Sequence, residues 1–212
     1  AHMVVVTGHG GEAVGKAAQA YDPNTIIVTQ EEQLGTAHAV QQAVAALSDF
    51  DGNVIVLYGD TPFIQENTLR DMLTARENGA SVVVLGFEAA EPRRYGRLVK
   101  GADGGLDAIV EAKDATPAQL AINLCNSGVI CADCGTLFKL IETIEANNGS
   151  GEYYLTDVVE LARSMDHACA AIIRSEAETM GVNSRADLAT ADAAFQTRMR
   201  TEALQNSVTM HA

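Results

Sequence analysis

Asp60 closes the segment Tyr58-Gly59-Asp60, directly after the apolar run Val54-Ile-Val-Leu57. Ligands of open α/β sheets bind outside the carboxyl ends of strands. An acid at that place can hold a hard cation such as Mg2+, which prefers oxygen ligands. Gly59 would allow close backbone approach. The plainer alternative for Asp60 is a turn residue ahead of Pro62. Gln30-Glu-Glu-Gln33-Leu-Gly35-Thr36 lies between a strand pattern and a helix pattern. Gln33 offers a donor and an acceptor, which suits the amide-like edge of a base. Gly35 and Thr36 fall at a helix N-terminus, where free N–H groups can face a ligand; Thr36 could equally do no more than cap.

Asn126, in Asn123-Leu-Cys-Asn126-Ser-Gly128, interrupts an apolar run. A buried amide needs partners, either a sugar's hydroxyls or the protein's own backbone. In Gly151-Glu-Tyr-Tyr-Leu-Thr-Asp157, two tyrosines beside an acid could wall a ligand or pack as a capping loop. Glu111 is a strand-end acid that could accept from hydroxyls or pair with Lys113. His9, His38 and His167 have no Cys/His or Ser/Asp partner pattern and read as structural. Gly8-His-Gly10-Gly11 matches a dinucleotide turn weakly, because the later Gly is missing and Glu12 would repel phosphates. A Rossmann dehydrogenase would rest on that turn alone. Cys131-Ala-Asp-Cys134 lacks the second ligand pair of a zinc site, so the thiols read as small buried hydrophobes.

The elements that must carry these residues follow from the apolar pattern. The chain has 212 residues, 47% of them hydrophobic, enough for one core with a smaller lobe. A formal charge of −14 with 14 basic residues excludes a nucleic-acid face. No apolar run reaches the roughly 18 residues of a membrane span. Four cysteines make no dense disulfide framework, which points to a reducing cytoplasm. Val4–Thr7, Ile26–Val28 and Val54–Leu57 read as strands, alternating with helices over Glu12–Tyr21, Thr36–Leu47 and Glu66–Arg76. That rhythm predicts a parallel sheet covered on both faces. Further on, Ser81–Gly86 and Ala121–Ile130 read as strands. Tyr95–Lys100 and Leu106–Ala112 flank Gly101-Ala-Asp-Gly-Gly105 as a hairpin. Leu137–Ala146, Asp157–Arg163 and Ser184–Gln205 read as helices, the last with Ser184 as N-cap, and Ala168–Ile173 as a late strand. The expected fold is a Rossmann-like three-layer α/β sandwich with a mixed, mostly parallel sheet and a small β-rich substrate lobe. Residues 1–3 read as a cloning scar, 4–205 as one domain (4–80 for nucleotide, 81–183 for sugar, 184–205 a C-terminal helix) and 206–212 as a tail.

Taken in order, Gln30-x-x-Gln-Leu-Gly-Thr36, Tyr58-Gly-Asp60, Tyr95-Gly-Arg97, Val110-Glu-x-Lys-Asp114, Asn126-x-Gly128, Gly151-Glu-Tyr-Tyr-Leu-Thr-Asp157 and Gly181-Val-Asn183 closely resemble one family. It is the pyrophosphorylase domain of bacterial bifunctional N-acetylglucosamine-1-phosphate uridyltransferase/glucosamine-1-phosphate acetyltransferase, and the resemblance covers nearly the whole chain. It implies that UTP and N-acetylglucosamine-1-phosphate give UDP-N-acetylglucosamine and pyrophosphate, for cell-wall and lipopolysaccharide precursors. It implies that Gln30, Gln33, Gly35 and Thr36 read the uracil, and that Asp60 and Asn183 hold Mg2+ and carry catalysis. Gly96, Glu111, Asn126, Tyr154 and Thr156 would surround the sugar and its phosphate, with Tyr58 and Gly59 as the floor between the two ligands. The family's Gly-rich phosphate loop and the β-helix of its trimeric, acetyl-transferring half have no counterpart here. The resemblance therefore predicts impaired turnover for this chain alone, and an exposed sheet edge that invites self-association. A nucleotidyltransferase for another sugar phosphate such as glucose-1-phosphate, and a non-catalytic sugar-nucleotide binding domain, are the competing readings.

Overall fold

The computed structural model describes residues 2–209, so Ala1 of the expected scar and residues 210–212 of the expected tail lie outside the described residues. Along the chain run β1 (Val4–Thr7), α1 (Gly11–Tyr21), β2 (Ile26–Thr29), α2 (Thr36–Gln41), β3 (Asn53–Val56), α3 (Glu66–Glu77) and β4 (Val82–Glu88). They are followed by β5 (Arg97–Lys100), β6 (Leu106–Val110), α4 (Pro117–Leu120), β7 (Leu124–Asp133), α5 (Cys134–Glu142), α6 (Val158–Ser164), β8 (Cys169–Arg174) and α7 (Arg185–Gln205).

β4 organises the core. Its side chains alternate between faces, as a strand's must. Val82 and Val84 join Leu98, Ile130, Leu137, Leu140, Val158 and Val159 on one side. Val83 and Leu85 join Met72, Val129 and Cys131 on the other. Helices α5 and α6 therefore cover one face and α3 the other, which is why this strand is apolar at consecutive positions. Each fully buried Val or Leu contributes about 1.5–3 kcal/mol relative to exposure. The three-layer α/β plan with a mixed sheet is borne out.

The balance of pairings differs from expectation. Parallel pairs are β1–β2 and β4–β8. The pairs β3–β7, β4–β7, β5–β6 and β5–β7 are antiparallel. The cause is β7, ten residues long, which serves three strands at once. β3 joins β7 rather than β1 or β2, so β1 and β2 form a separate two-stranded sheet. The continuous parallel sheet expected of the first half is thus divided. The predicted hairpin is present: Gly101 N–H donates to the Gly105 carbonyl at 2.9 Å, and Gly104 takes a φ of +80°.

The helix expected over Thr36–Leu47 ends at Gln41 and tightens into a 3-10 turn at Ala45–Leu47. The Gln42 side chain donates to the His38 carbonyl at 2.9 Å. Ala43 N–H bonds the Val40 carbonyl at 3.0 Å, three residues back. Such local competition ends the four-residue ladder. α4 is an element beyond those expected, although Thr116 and Gln119 build a full capping box around Pro117. Ser184 caps α7 as expected, accepting from Asp187 N–H at 3.1 Å.

Candidate active site

The segments Gln30–Thr36 and Gly151–Asp157 meet. Gly35 has a φ of +117°, and a Cβ there would stand 2.5 Å from the Tyr153 carbonyl oxygen. Only glycine allows that approach. Tyr153 N–H donates to the Leu34 carbonyl at 2.8 Å, and Ala37 N–H to the Tyr153 carbonyl at 2.9 Å. Thr36 does not cap its own helix. Its hydroxyl accepts from Leu155 N–H at 2.9 Å, and the N-cap is Gly35, which supplies no side-chain bond. Gln30 donates to the Gly35 carbonyl at 3.1 Å and meets His38 Nδ1 at 3.0 Å. Its amide nitrogen therefore shapes the loop. Gln33 Nε2 lies beside Gly8, 2.9 Å from where a Cβ would be, so the Gly8 turn abuts this loop.

The next wall is built by β7. Between Val84 and Gly86 the register with β4 slips, because β7 bulges through Ser127–Gly128. Bulges re-aim side chains beside sites. Asn126 is 9% exposed, and its Oδ1 accepts from Gly128 N–H at 2.9 Å. Gly128, with a φ of +90°, admits the Tyr58 ring: a Cβ would stand 2.3 Å from Tyr58 Cε2. Burial raises the Tyr58 phenol's pKa, the bond with Thr36 lowers it, and Glu111 and Asp60 raise it further. Tyr58 therefore links the Thr36 loop to the β7 bulge.

Gly96 borders Glu111 Oε1 and the Asn126 Cβ, at 3.4 and 3.6 Å from the position of an added Cβ. The Thr156 hydroxyl donates to Glu111 Oε1 at 3.4 Å. Burial pushes the Glu111 carboxyl up, with Thr156 and Lys113 opposing. Tyr154 is 9% exposed, with Lys113 Nζ 4.8 Å from its ring centre. Its Oη is buried, and interaction with it raises the Lys113 ammonium's pKa. Arg97, 2% exposed, donates to the carbonyls of Tyr95, Pro92 and Arg93 and so holds the turn before Gly96. Sequence reasoning places Arg97 within a motif but gives it no task.

Asp60 and Asn183 come together from loops far apart in sequence. Val182 N–H donates to the Asp60 carbonyl at 2.8 Å. A Cβ on Gly181 would meet Asn183 Nδ2 at 3.3 Å and Asp60 Oδ2 at 3.9 Å. Downstream, Asn183 N–H donates to Asp187 Oδ2 at 3.1 Å, in the first turn of α7. A carboxylate and an amide carbonyl are hard oxygen donors that fit Mg2+. No cluster of three or more His, Cys, Asp or Glu suited to a metal occurs among the described residues. Two such donors would match the way Mg2+ is held where phosphates and waters complete its shell. All four cysteines are free and buried, which bears out their reading as thiols, and no described helix is long and apolar enough to cross a membrane.

Comparison with known proteins bears on the family. The protein called "Bifunctional protein GlmU" of Ruegeria pomeroyi is 58% identical over 212 residues, covering 100% of this chain and 47% of that protein. Its namesake in Cereibacter sphaeroides is 57% identical over 211 residues, covering 99% and 46%. The chain thus spans about half the length of the curated relatives it matches. These relatives bear out the resemblance read from the ordered motifs. Among solved structures, a UDP-glucose pyrophosphorylase complexed with UDP-glucose superimposes with a TM-score of 0.63 at 16% identity, over 81% of this chain and 72% of that one. A nucleoside-diphosphate-sugar pyrophosphorylase from Vibrio cholerae gives 0.66 at 11% identity, over 90% and 80%; at such identities the likeness speaks for the fold. Residues 1–148 match the MobA-like NTP transferase domain, and the chain belongs to that nucleotidyltransferase family.

Proposed function

We propose that this chain carries the site for Mg2+-dependent uridylyl transfer from UTP to N-acetylglucosamine-1-phosphate, releasing pyrophosphate and forming UDP-N-acetylglucosamine. The observation that supports it best is the junction of Thr36, Tyr58 and Gly128, which sets the nucleotide loop against the sugar wall. Gln33, Gly35 and Thr36 would read the uracil, with Gln30 fixing their loop. Asn126 Nδ2, Glu111, Thr156 and the backbone at Gly96 would hold the sugar hydroxyls and phosphate. The buried Tyr154 Oη, beside Lys113, would take one of those hydroxyls. Tyr58 and Gly59 would lie beneath the join.

The attacking group is a phosphate oxygen of the sugar phosphate, in line with the α-phosphorus, and pyrophosphate carries away the bond's electrons. The protein need supply no nucleophile; it positions both substrates and offsets charge. Asp60 and Asn183 would hold Mg2+, which would neutralise the phosphates when bound. Calorimetric titration of UDP-N-acetylglucosamine, with and without Mg2+ and with UDP-glucose in parallel, tests the reading. Selective binding strengthened by Mg2+ is expected. Equal affinity for both sugar nucleotides would sink the substrate, and indifference to Mg2+ the metal.

A further inference from the structure

Glu178 is a charged residue in a loop, yet it is only 6% exposed. Its Oε1 accepts from Gln65 N–H at 3.1 Å and from the Thr68 hydroxyl at 2.5 Å. Gln65 is the N-cap of α3, and its own side chain makes no capping bond. The cap of α3 is thus supplied from more than a hundred residues away, by a carboxylate placed where the helix dipole favours one. Thr68 Oγ1 also accepts from Arg174 Nε at 3.0 Å, and Arg174 pairs with Asp71, so β8 is tied to the same turn.

The second tie between these segments is Val182 N–H to the Asp60 carbonyl. The stretches 60–65 and 178–182 are therefore joined at both ends, Asp60 to Val182 and Gln65 to Glu178. Asn183 follows the first tie directly and Asp60 is part of it. Without the Glu178 tie, among the described residues the stretch 178–182 would keep one hydrogen bond to the stretch 60–65, Val182 N–H to the Asp60 carbonyl, with Arg174 anchoring only the start of the loop. We propose that Glu178 is a positioning residue: by capping α3 from the opposite loop, it sets the spacing of Asn183 and Asp60, and hence the affinity of the site for a divalent cation. This rests on the reading of Asp60 and Asn183 as cation ligands.

The test uses the full chain with UDP-N-acetylglucosamine and Mn2+, an oxygen-preferring ion visible by electron paramagnetic resonance. Bound Mn2+ is measured for the native chain, Glu178→Ala, Glu178→Gln, Asp60→Asn, Asn183→Ala and the double variant Gln65→Asp/Glu178→Ala. Glu178→Ala should weaken Mn2+ about tenfold, the scale of one lost charge-assisted bond, with UDP-N-acetylglucosamine affinity in EDTA unchanged. Glu178→Gln keeps an acceptor oxygen and should stay within about twofold. In the double variant, the Gln65→Asp side chain can cap first-turn N–H groups of α3 locally, so the melting temperature should return without Mn2+ affinity returning. A purely structural role predicts that both return together, which would overturn the proposal. So would a Glu178→Ala chain that binds Mn2+ normally while Asp60→Asn and Asn183→Ala do not. If those two ligand variants also bind normally, the cation site itself is misplaced and the positioning role falls with it. Should Glu178→Ala alone fail to fold, the double variant against the native chain decides by the same readings.

Discussion

Tyr58 lies against Gly128 so closely that a Cβ on the glycine would stand 2.3 Å from the tyrosine Cε2. The φ of +90° at Gly128 adds backbone strain to any side chain there. Gly128→Ala must push Tyr58 outward, and with it the Thr36 contact that joins the two halves of the site. The substitution should cost about 1–3 kcal/mol of stability and reduce UDP-N-acetylglucosamine binding more than tenfold. Calorimetry beside thermal unfolding checks this; normal affinity in a folded Gly128→Ala chain would show that the ring does not form the floor.

Thr36 bridges the Gln30–Gly35 loop to the segment that carries Tyr154 and Thr156. Thr36→Val removes the acceptor for Leu155 N–H while keeping the shape. A partly buried N–H left without a partner costs about 1–3 kcal/mol. Chemical denaturation should register that loss, and Thr36→Ser, which keeps the hydroxyl, should recover most of it. If Val and Ser behave alike, the bond contributes little and the segments are held by the Gly35–Tyr153 contacts alone.

Much of this is legible in the residues alone, and the exceptions share a cause. β4 announces itself because a strand buried on both faces is apolar at consecutive positions, and the half-buried edge strand β8 keeps an apolar run of its own. Ser184 is legible as a cap because its partner, Asp187, is three residues away. The Asn126–Gly128 segment stands out because an amide inside an apolar run demands partners. By contrast, β3 looks like β1 and β2 in sequence, and only the length of β7 decides where it pairs. Glu178 is invisible because Gln65 and Thr68 lie 113 and 110 residues off, and an acid in Ser175-Glu-Ala-Glu178 reads as solvated surface. Thr36 reads as a cap because the competing donor, Leu155 N–H, arrives from 119 residues away.

The cysteines offer a check on packing. Burial raises the Cys131 and Cys169 thiols to about 11, and raises Cys125 and Cys134 as well. The thiolate is the reactive form, so burial and a high pKa both suppress attack. Native protein at pH 8 should react negligibly with a thiol reagent such as dithionitrobenzoate over minutes, and all four thiols should react once the chain is unfolded. Rapid reaction of even one thiol in the native state would show that β7, β8 or the start of α5 is less tightly covered than described.

Burial raises the Asp157 carboxyl well above the usual carboxylate range, so its ionised form should weaken the fold. Burial, then Glu160, Glu111 and Asp114, raise its carboxyl from 3.8 to about 6. It sits at the start of α6 without a side-chain capping bond. Between about pH 4 and pH 6 the folded chain holds this proton and the unfolded chain does not, so the Asp157 contribution to stability declines as pH rises through that window. Above it both states are ionised and the full penalty remains. Asp157→Asn loses no cap and removes the charge. It should therefore match the native chain near pH 4 and exceed it by roughly 1–2 kcal/mol at pH 7.5, the shift having been discounted for solvent screening at a half-buried group. Denaturant unfolding of both chains at pH 4.5, 6 and 7.5 gives the difference directly. A difference that does not grow with pH would mean that solvent, or a cation held by the neighbouring carboxylates, already offsets the charge of Asp157.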